Sequence, residues 1–221
     1  MKTTLVITFL LVLIFPSCNN ENGNNRDIIS KSKRDGGIKI FMSSKPFDNQ
    51  EAYNLYLKGL NCIKRDRYKC AKKYLEKALK IEPNNPAILC DLGLIETRLF
   101  NYDLGSELLL KAISMDSTYY QAYTNLGLNF YYDKKRREAI DILKMVDLNN
   151  VNQLIQGTTY FHLFMNYSGL WECDSAYKYY ILSKSLVDNK LLLENIENFK
   201  ILEFNKNCPQ HGIANNSGAW R

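Results

Sequence analysis

Residue types return at a constant interval of 34 residues in the middle of this 221-residue chain. With Ala52 taken as position 1, the second and third units begin at Pro86 and Tyr120, and no insertion separates them. Position 8 is glycine and position 24 is leucine in all three units, while position 20 is alanine or glycine. A spacing kept three times in succession indicates stacked copies of one structural unit.

Each unit contains two amphipathic helices. Positions 17, 20, 24 and 27 follow the three- and four-residue spacing of one helix face, and positions 4, 7, 8 and 11 form an earlier face. At the junction of the first two units, Pro83 stops a helix, Asn85 caps the next helix and Pro86 fits its first turn. Each unit is therefore predicted to be a helix hairpin whose small residues at positions 8 and 20 allow a close approach.

This pattern resembles the tetratricopeptide repeat family. The resemblance implies an all-α fold, a right-handed α-solenoid of antiparallel helix pairs, with regular repeats at 52–85, 86–119 and 120–153. A degenerate fourth repeat and a capping helix are predicted at 154–204, followed by a polar tail at 205–221. In the fourth repeat the pattern is shifted by three residues, and Phe164 replaces the glycine, so that this helix pair is expected to be wider.

Residues 1–17 are predicted to be a signal peptide. Their largely apolar run from Leu5 to Phe15 would reach only about 16 Å as a helix, roughly half of a hydrocarbon core. The following Cys18 makes the segment resemble a bacterial lipoprotein signal, which implies acyl chains on that cysteine and a place on the outer membrane, facing the periplasm or the cell surface. Residues 18–50 would then be the lipid attachment and a polar tether. The alternative is an ordinary secretory signal with an incidental cysteine.

In tetratricopeptide proteins, positions 2, 5, 9 and 12 of the first helices line a concave groove that binds peptides. The resemblance therefore implies a protein or peptide partner, and the aromatic and aliphatic lining favours an apolar or amphipathic segment. The alternative is a groove filled by the chain's own segment Ile38–Met42. The predicted groove residues are Tyr53, Tyr56, Leu60, Ile63, Cys90, Leu94, Thr97, Gln121, Thr124, Leu128 and Tyr131.

Basic residues recur in the turns between paired helices, and the chain has a formal net charge of +6. Because the turns of a solenoid align along one edge, they are predicted to form a basic edge suited to anionic lipid head groups. The alternative is a set of solvated turns, and nucleic acid is not an expected partner of an exported protein. The basic edge comprises Lys64, Arg65, Arg67, Arg98, Lys134, Lys135, Arg136 and Arg137.

No catalytic motif, cofactor site or metal site is predicted, because the two histidines stand apart and no nucleophile elbow or phosphate loop is present. Besides Cys18, the odd number of cysteines at helix positions favours buried, reduced thiols. If any pair forms a disulfide, the expected pair is Cys173 with Cys208. The five cysteines concerned are Cys62, Cys70, Cys90, Cys173 and Cys208.

Two functions follow from these features. The first is a membrane-anchored adaptor that binds a protein segment in its groove, similar in plan to the tetratricopeptide lipoproteins of outer-membrane assembly and pilus biogenesis. The second is a surface lipoprotein for nutrient capture that stacks sugar rings on aromatic residues such as Tyr131, Tyr132 and Trp171. An enzyme is not expected.

Overall fold

The computed structural model describes residues 47–213, and the regular elements within this range are all helical. The predicted all-α class is therefore confirmed. Eight helices form four hairpins: α1 Gln50–Ile63, α2 Tyr68–Ile81, α3 Pro86–Arg98, α4 Tyr102–Met115, α5 Tyr120–Tyr132, α6 Arg136–Lys144, α7 Gln153–Gly169 and α8 Cys173–Leu186. The C-terminal elements are α9 Lys190–Phe199, a π-helical turn Lys200–Phe204, α10 Asn205–Asn207 and α11 Pro209–Ile213.

The hairpins stack into two layers. Each first helix packs against the second helix of its own hairpin, and α5 also packs against α3 and α7. In α3 every residue from Pro86 to Thr97 is buried, whereas α4 buries only Gly105, Leu109 and Ala112. The first helices therefore form an inner layer and the second helices an outer layer, which is the predicted solenoid.

The turn between the paired helices has the same backbone conformation in all four hairpins. Asp66, Phe100, Lys134 and Trp171 have φ values of 53°, 66°, 63° and 63°, in the left-handed region. The first three occupy position 15 of their repeats, and Trp171 follows Lys134 by 37 residues, three more than the regular interval. The turn of the fourth hairpin therefore keeps the backbone conformation of the other three turns after a three-residue insertion.

Asparagine side chains cap three of the four first helices. Asn49 accepts hydrogen bonds from the amides of Glu51 and Ala52, and Asn85 does the same for the first turn of α3. The carboxylate of Glu82 connects these two caps, because it accepts from the Asn49 amide at 2.7 Å and from the Asn85 side chain at 2.8 Å. This arrangement joins the starts of two successive repeats.

The glycines at position 8 lie against the leucines at position 24 of the same hairpin. A Cβ atom on Gly93 would lie 2.7 Å from Cγ of Leu109 and 3.1 Å from the backbone oxygen of Gly105. A Cβ on Gly127 would lie 2.5 Å from Cγ of Leu143. The first and second helices of these hairpins therefore have no room for a side chain at position 8.

Replacing Gly93 with alanine is expected to lower the free energy of unfolding by about 1–2 kcal/mol. Overpacking a dense core costs roughly 1–3 kcal/mol, and the better helix propensity of alanine offsets up to about 1 kcal/mol of that cost. Urea unfolding followed by circular dichroism measures the change. Lys77→Ala, at an exposed position of α2, is the control and should change stability by under about 0.5 kcal/mol. A Gly93→Ala protein as stable as the wild type would contradict the close packing.

The C-terminal elements cover the fourth hairpin. Phe199 and Phe204 both contact the ring of Phe164, with centroid distances of 5.1 and 5.3 Å. A spacing of five residues brings both rings to one face because the intervening turn is π-helical. The predicted capping helix thus ends in a wider turn that adds a second aromatic ring to the core.

Two disulfides correct the expectation of reduced cysteines. The structure joins Cys62 to Cys70, and it joins Cys173 to Cys208, the pair expected if any formed. Cys62 and Cys70 occupy positions 11 and 19, which face each other across a helix hairpin with Cα atoms 5.8 Å apart. The odd cysteine is Cys90, which is buried outside both disulfides. Counting cysteines was therefore less informative than their placement within the hairpin.

Candidate functional site

The predicted groove residues lie on the inner layer, on α1, α3 and α5. Most of them are buried, which leaves a smaller accessible surface than an open groove would have. The half-buried members are Tyr53, Ile63 and Tyr131. The buried members are Tyr56, Leu60, Cys90, Leu94, Thr97, Gln121, Thr124 and Leu128.

A row of polar side chains at position 6 accounts for part of this burial. Each one reaches back to position 5 of the preceding repeat. The hydroxyl of Tyr56 donates to the Asp91 carboxylate at 2.8 Å, and the Asn125 side chain donates to Sγ of Cys90 at 3.2 Å. In the fourth hairpin, Nδ1 of His162 lies 3.1 Å from the backbone oxygen of Thr124. Positions 5 and 6 are thus in contact at all three junctions between repeats, although the hydrogen-bonding groups differ.

Position 10 adds a further polar contact between repeats. The side chain of Asn129 donates to the hydroxyl oxygen of Thr97 at 2.8 Å and to the backbone oxygen of Tyr102 at 3.1 Å. A Cβ atom on Gly105 would lie 2.5 Å from Nδ2 of Asn129. Gly105, the small residue at position 20 of the second repeat, therefore leaves space for the Asn129 side chain and for the backbone of Gly93 in its own hairpin.

The polar row was missed by the sequence analysis, which assigned groove positions from the family pattern alone. Its signal in the sequence is a polar residue at position 6 of three successive first helices: Asp91, Asn125 and His162. All three are buried, and a buried polar group needs a hydrogen-bond partner. In a stacked array that partner lies on the neighbouring repeat.

Leucines at position 9 also belong to the core. Leu94 and Leu128 are in one apolar cluster with Phe161, Leu163 and Phe164 of the fourth hairpin. The inner layer is therefore continuous from the second repeat to the fourth. Changing these groove positions to charged residues would unfold the protein rather than test the binding of a partner.

His162 is held neutral by its surroundings. Its pKa is lowered to about 3, chiefly by complete burial and also by the positive charge of Arg98, while the hydrogen bond to the Thr124 backbone oxygen acts in the opposite direction. Because a carbonyl oxygen only accepts, Nδ1 carries the proton in this contact. His162 is thus a structural group of the junction between the third repeat and the fourth.

Acidification is expected to weaken the wild-type fold through His162. The unfolded chain binds a proton near pH 6.5 but the folded chain binds it only near pH 3, so folding is penalised increasingly as pH falls through this window. The penalty is about 1.4 kcal/mol per pH unit, or about 2 kcal/mol at pH 5. Urea unfolding at pH 7 and pH 5 should show this extra loss in the wild type but not in His162→Gln. Equal losses in both proteins would contradict a buried neutral histidine.

The predicted basic edge contains exposed and partly buried cations. Lys64, Arg65, Arg67, Lys134, Lys135 and Arg137 are exposed, while Arg98 and Arg136 are half-buried. The guanidinium of Arg98 lies 6.0 Å from the ring centroid of Tyr132, and that of Arg136 lies 4.6 Å from the ring centroid of Tyr131. These two arginines are held by aromatic rings of the inner layer.

Contacts between neighbouring turns show that the turns follow one another along one edge. Arg98, before the second turn, donates to the Tyr132 hydroxyl, before the third turn, at 3.5 Å. Arg137, after the third turn, forms an ion pair with Glu172 of the fourth turn at 2.6 Å. Lys135 pairs with Asp133 within the third turn at 2.6 Å, and this hydrogen bond raises the pKa of the lysine. The second, third and fourth turns therefore form a continuous surface.

The aromatic residues of the glycan hypothesis differ in their exposure. Trp171 is 66% exposed. Tyr131 and Tyr132 are half-buried, with their rings 5.4 Å apart and perpendicular to each other. Burial raises the pKa of Tyr131 to about 12, although the neighbouring Arg136 acts in the opposite direction. Trp171 is thus the member of this set best placed for a ligand.

Several predictions concern residues beyond the described range. Cys18 and the segment Ile38–Met42 lie outside residues 47–213, so they stay predictions. Among residues 47–213, no helix has both the length and the apolar character to cross a membrane. The same residues include no cluster of three potential metal-binding side chains.

Comparisons with known proteins confirm the resemblance on which the fold prediction depended. The family model described as "Tetratricopeptide repeat" matches residues 52–85, which are the residues of the first predicted repeat. PilF of Pseudomonas aeruginosa is similar in structure, with a TM-score of 0.59 and 19% identity, covering 77% of this chain and 78% of that chain.

Two further solved structures share the fold. A thermophilic tetratricopeptide repeat protein of Thermus thermophilus has a TM-score of 0.57 and 17% identity, with 72% of this chain and 92% of that chain covered. An O-GlcNAc transferase mutant of Thermobaculum terrenum has a TM-score of 0.54 and 19% identity, with 63% of this chain but only 27% of that chain covered. These likenesses show the fold, a solenoid of stacked helix hairpins like that of tetratricopeptide repeat proteins.

Proposed function

We propose that this tetratricopeptide-repeat chain is a membrane-anchored adaptor that holds an apolar or amphipathic segment of a protein partner on its inner layer. The observation that carries the proposal is the stack of four hairpins, in which the first helices form one continuous face. Helical repeats of this kind present extended surfaces for protein segments. The anchor is the acylated Cys18, and the polar residues after it are the tether.

The contact surface is the rim of the inner layer rather than its centre. Tyr53 and Ile63 on α1 and Tyr131 on α5 are half-buried, whereas the groove positions between them are inside the core. Tyr53 packs against Phe47, with ring centroids 5.2 Å apart, so that two aromatic rings stand next to each other at the first repeat. An apolar partner segment would bury the exposed parts of these side chains.

Partner binding is tested by recovery from the native host with the tagged chain. Ile63→Asp places a charge on the rim, and Lys77→Asp is the matched control on the outer layer. The proposal expects loss of the partner with Ile63→Asp and full recovery with Lys77→Asp, while circular dichroism confirms that both variants are folded. Equal recovery with both variants would contradict binding at the rim.

Occupation of the groove by the chain's own residues is tested by a separate variant. Ile40→Asp disrupts the apolar segment Ile38–Met42. If this segment competes with the partner, the variant should recover several times more partner than the wild type. Unchanged recovery would indicate that the segment does not occupy the binding surface.

Anchoring is tested by growing cells with a radioactive fatty acid. The proposal expects label on the wild-type chain and none on Cys18→Ala, which should also leave the membrane fraction. Label on neither protein, or equal label on both, would contradict lipidation at this residue. This result is independent of any partner.

Glycan capture is the second candidate, and the exposure of Trp171 is the observation in its favour. A sugar ring stacked on this indole would change its fluorescence. Titration with a panel of oligosaccharides should give saturable changes if the chain captures glycans, and Trp171→Ala should abolish them. The adaptor proposal expects no saturable change with any sugar.

A further inference from the structure

The residues in the left-handed turns alternate in type along the hairpin edge. They are an acid at Asp66, an aromatic ring at Phe100, a base at Lys134 and an aromatic ring at Trp171. Among the described residues, these two rings are the most exposed large apolar side chains, at 77% for Phe100 and 66% for Trp171. The apolar tips of the second and fourth turns therefore flank the basic third turn.

Folding does not account for these two rings. A left-handed conformation favours glycine or asparagine, because a Cβ atom crowds the following carbonyl oxygen. Exposed aromatic rings do not repay that strain by burial, since most of their surface remains in water. Aromatic residues at two equivalent turns therefore suggest a ligand surface that contacts the edge from outside.

Positive charge is concentrated in the first and third turns, on either side of Phe100, whereas the fourth turn carries Glu172 and Asp174 beside Trp171. Within positions 13 to 18 of the four hairpins, nine basic side chains stand against five acidic ones. The excess of basic residues lies in the first and third turns. The first turn carries Lys64, Arg65 and Arg67, and the third carries Lys134, Lys135, Arg136 and Arg137; of these only Arg136 is half-buried, and the others are exposed. The edge thus combines cations with exposed aromatic rings, and the contacts described above connect its second, third and fourth turns.

We propose that the hairpin edge docks on an anionic lipid bilayer, with Phe100 and Trp171 entering the head-group region. Tryptophan favours this interface because its indole combines an apolar ring with a polar N–H group, and phenylalanine adds apolar surface that the acyl boundary can bury. Lysine and arginine near the surface are attracted by anionic head groups. The edge would then orient the solenoid on the membrane and leave the outer layer and the rim of the groove to the aqueous side.

This inference rests on the proposed membrane anchor, which brings the edge close to the bilayer. Residues 18–46 precede the described range, and 29 extended residues span at most roughly 95 Å. That reach allows the hairpin edge to meet the surface that holds the lipid. A lipid anchor alone would place the chain at the membrane without fixing which face contacts it.

The fluorescence of Trp171 tests the docking directly. The chain has two tryptophans, so Trp220→Phe leaves Trp171 as the sole tryptophan, whose emission is excited selectively at wavelengths that tyrosine does not absorb. The full-length lipidated chain is reconstituted into vesicles of phosphatidylcholine with or without phosphatidylglycerol, each containing brominated lipid as a quencher. The proposal expects a blue-shifted emission and several-fold stronger quenching when phosphatidylglycerol is present. Emission typical of water-exposed tryptophan in both vesicles would overturn it.

Charge-matched variants separate edge docking from general attraction. Arg67→Glu with Lys134→Glu changes two exposed cations of the edge, whereas Lys73→Glu with Lys77→Glu changes two exposed cations of the outer layer. Quenching should fall several-fold in the first pair and stay near the wild-type value in the second. Equal decreases in both pairs would contradict docking through the edge.

Failure of this inference is distinguishable from failure of the anchor. Flotation of the chain with vesicles and labelling at Cys18 report anchoring whether or not Trp171 meets the bilayer. Anchored chain with water-exposed Trp171 would refute edge docking and leave the adaptor proposal intact. If Trp171 responds to a protein partner but not to vesicles, the edge is a protein-binding surface and the lipid proposal is wrong.

Discussion

Replacing Phe164 with glycine is expected to lower the free energy of unfolding by about 4–6 kcal/mol, although glycine occupies the equivalent position in the three preceding repeats. Phe164 is fully buried, and its ring lies 5.5 Å from Tyr180, which takes the place of the leucine at position 24. It also contacts Phe199 and Phe204 of the C-terminal cap. Removing the ring leaves a cavity at the centre of this aromatic cluster.

Urea unfolding of Phe164→Gly and Phe164→Leu distinguishes the effect of the cavity from the effect of any substitution at this position. The leucine variant keeps part of the volume and should lose only about 1–2 kcal/mol. The loss of about 4–6 kcal/mol expected for Phe164→Gly is a substantial part of the free energy of unfolding of a typical domain. A Phe164→Gly protein at least as stable as the wild type would show that the fourth hairpin closes as the other three do.

Removal of the Cys173–Cys208 disulfide is expected to cost about 3–4 kcal/mol, because the bond closes a loop with a sequence separation of 35. The shorter Cys62–Cys70 bond, with a separation of 8, should contribute about 2.5 kcal/mol by the same chain-entropy argument. The longer disulfide also ties the start of α8 to the segment beyond the π-helical turn. Its loss should therefore loosen the C-terminal cap first.

Cys173→Ala with Cys208→Ala is compared with Cys62→Ala with Cys70→Ala by urea unfolding and amide hydrogen exchange. The first variant should be the less stable of the two, with faster exchange concentrated in residues 190–208. The second should show faster exchange near the turn between α1 and α2. Uniformly faster exchange throughout the chain in the first variant would contradict a local role for this bond.

The repeat pattern predicted the architecture because each repeated residue type has a local physical cause. Glycine at position 8 faces a leucine in the same hairpin, and Asn85 with Pro86 starts the next helix. These contacts lie within one repeat or at its boundary, so that their signal appears at fixed sequence intervals. The helix hairpins and their stacking could therefore be inferred without coordinates.

The site was harder to predict because it depends on contacts between repeats. The groove positions came from a family pattern, which does not report that Asp91, Asn125 and His162 reach back across each junction. From sequence alone, a polar residue on a first helix is assigned to an exposed position unless its hydrogen-bond partner on the preceding repeat is known. The pairing of Cys62 with Cys70 lies within one hairpin and was missed for a different reason, because it depends on which faces of the two helices meet.

Photocrosslinking in the native host tests most directly whether the inner layer of the anchored chain holds a protein partner. A photoreactive amino acid is placed at Tyr53 or Ile63 on the rim, and at Lys77 on the outer layer as the control. The account predicts that both rim positions capture the same membrane-associated protein and that Lys77 does not. Capture of the same proteins from all three positions, or of none from the rim, would contradict it.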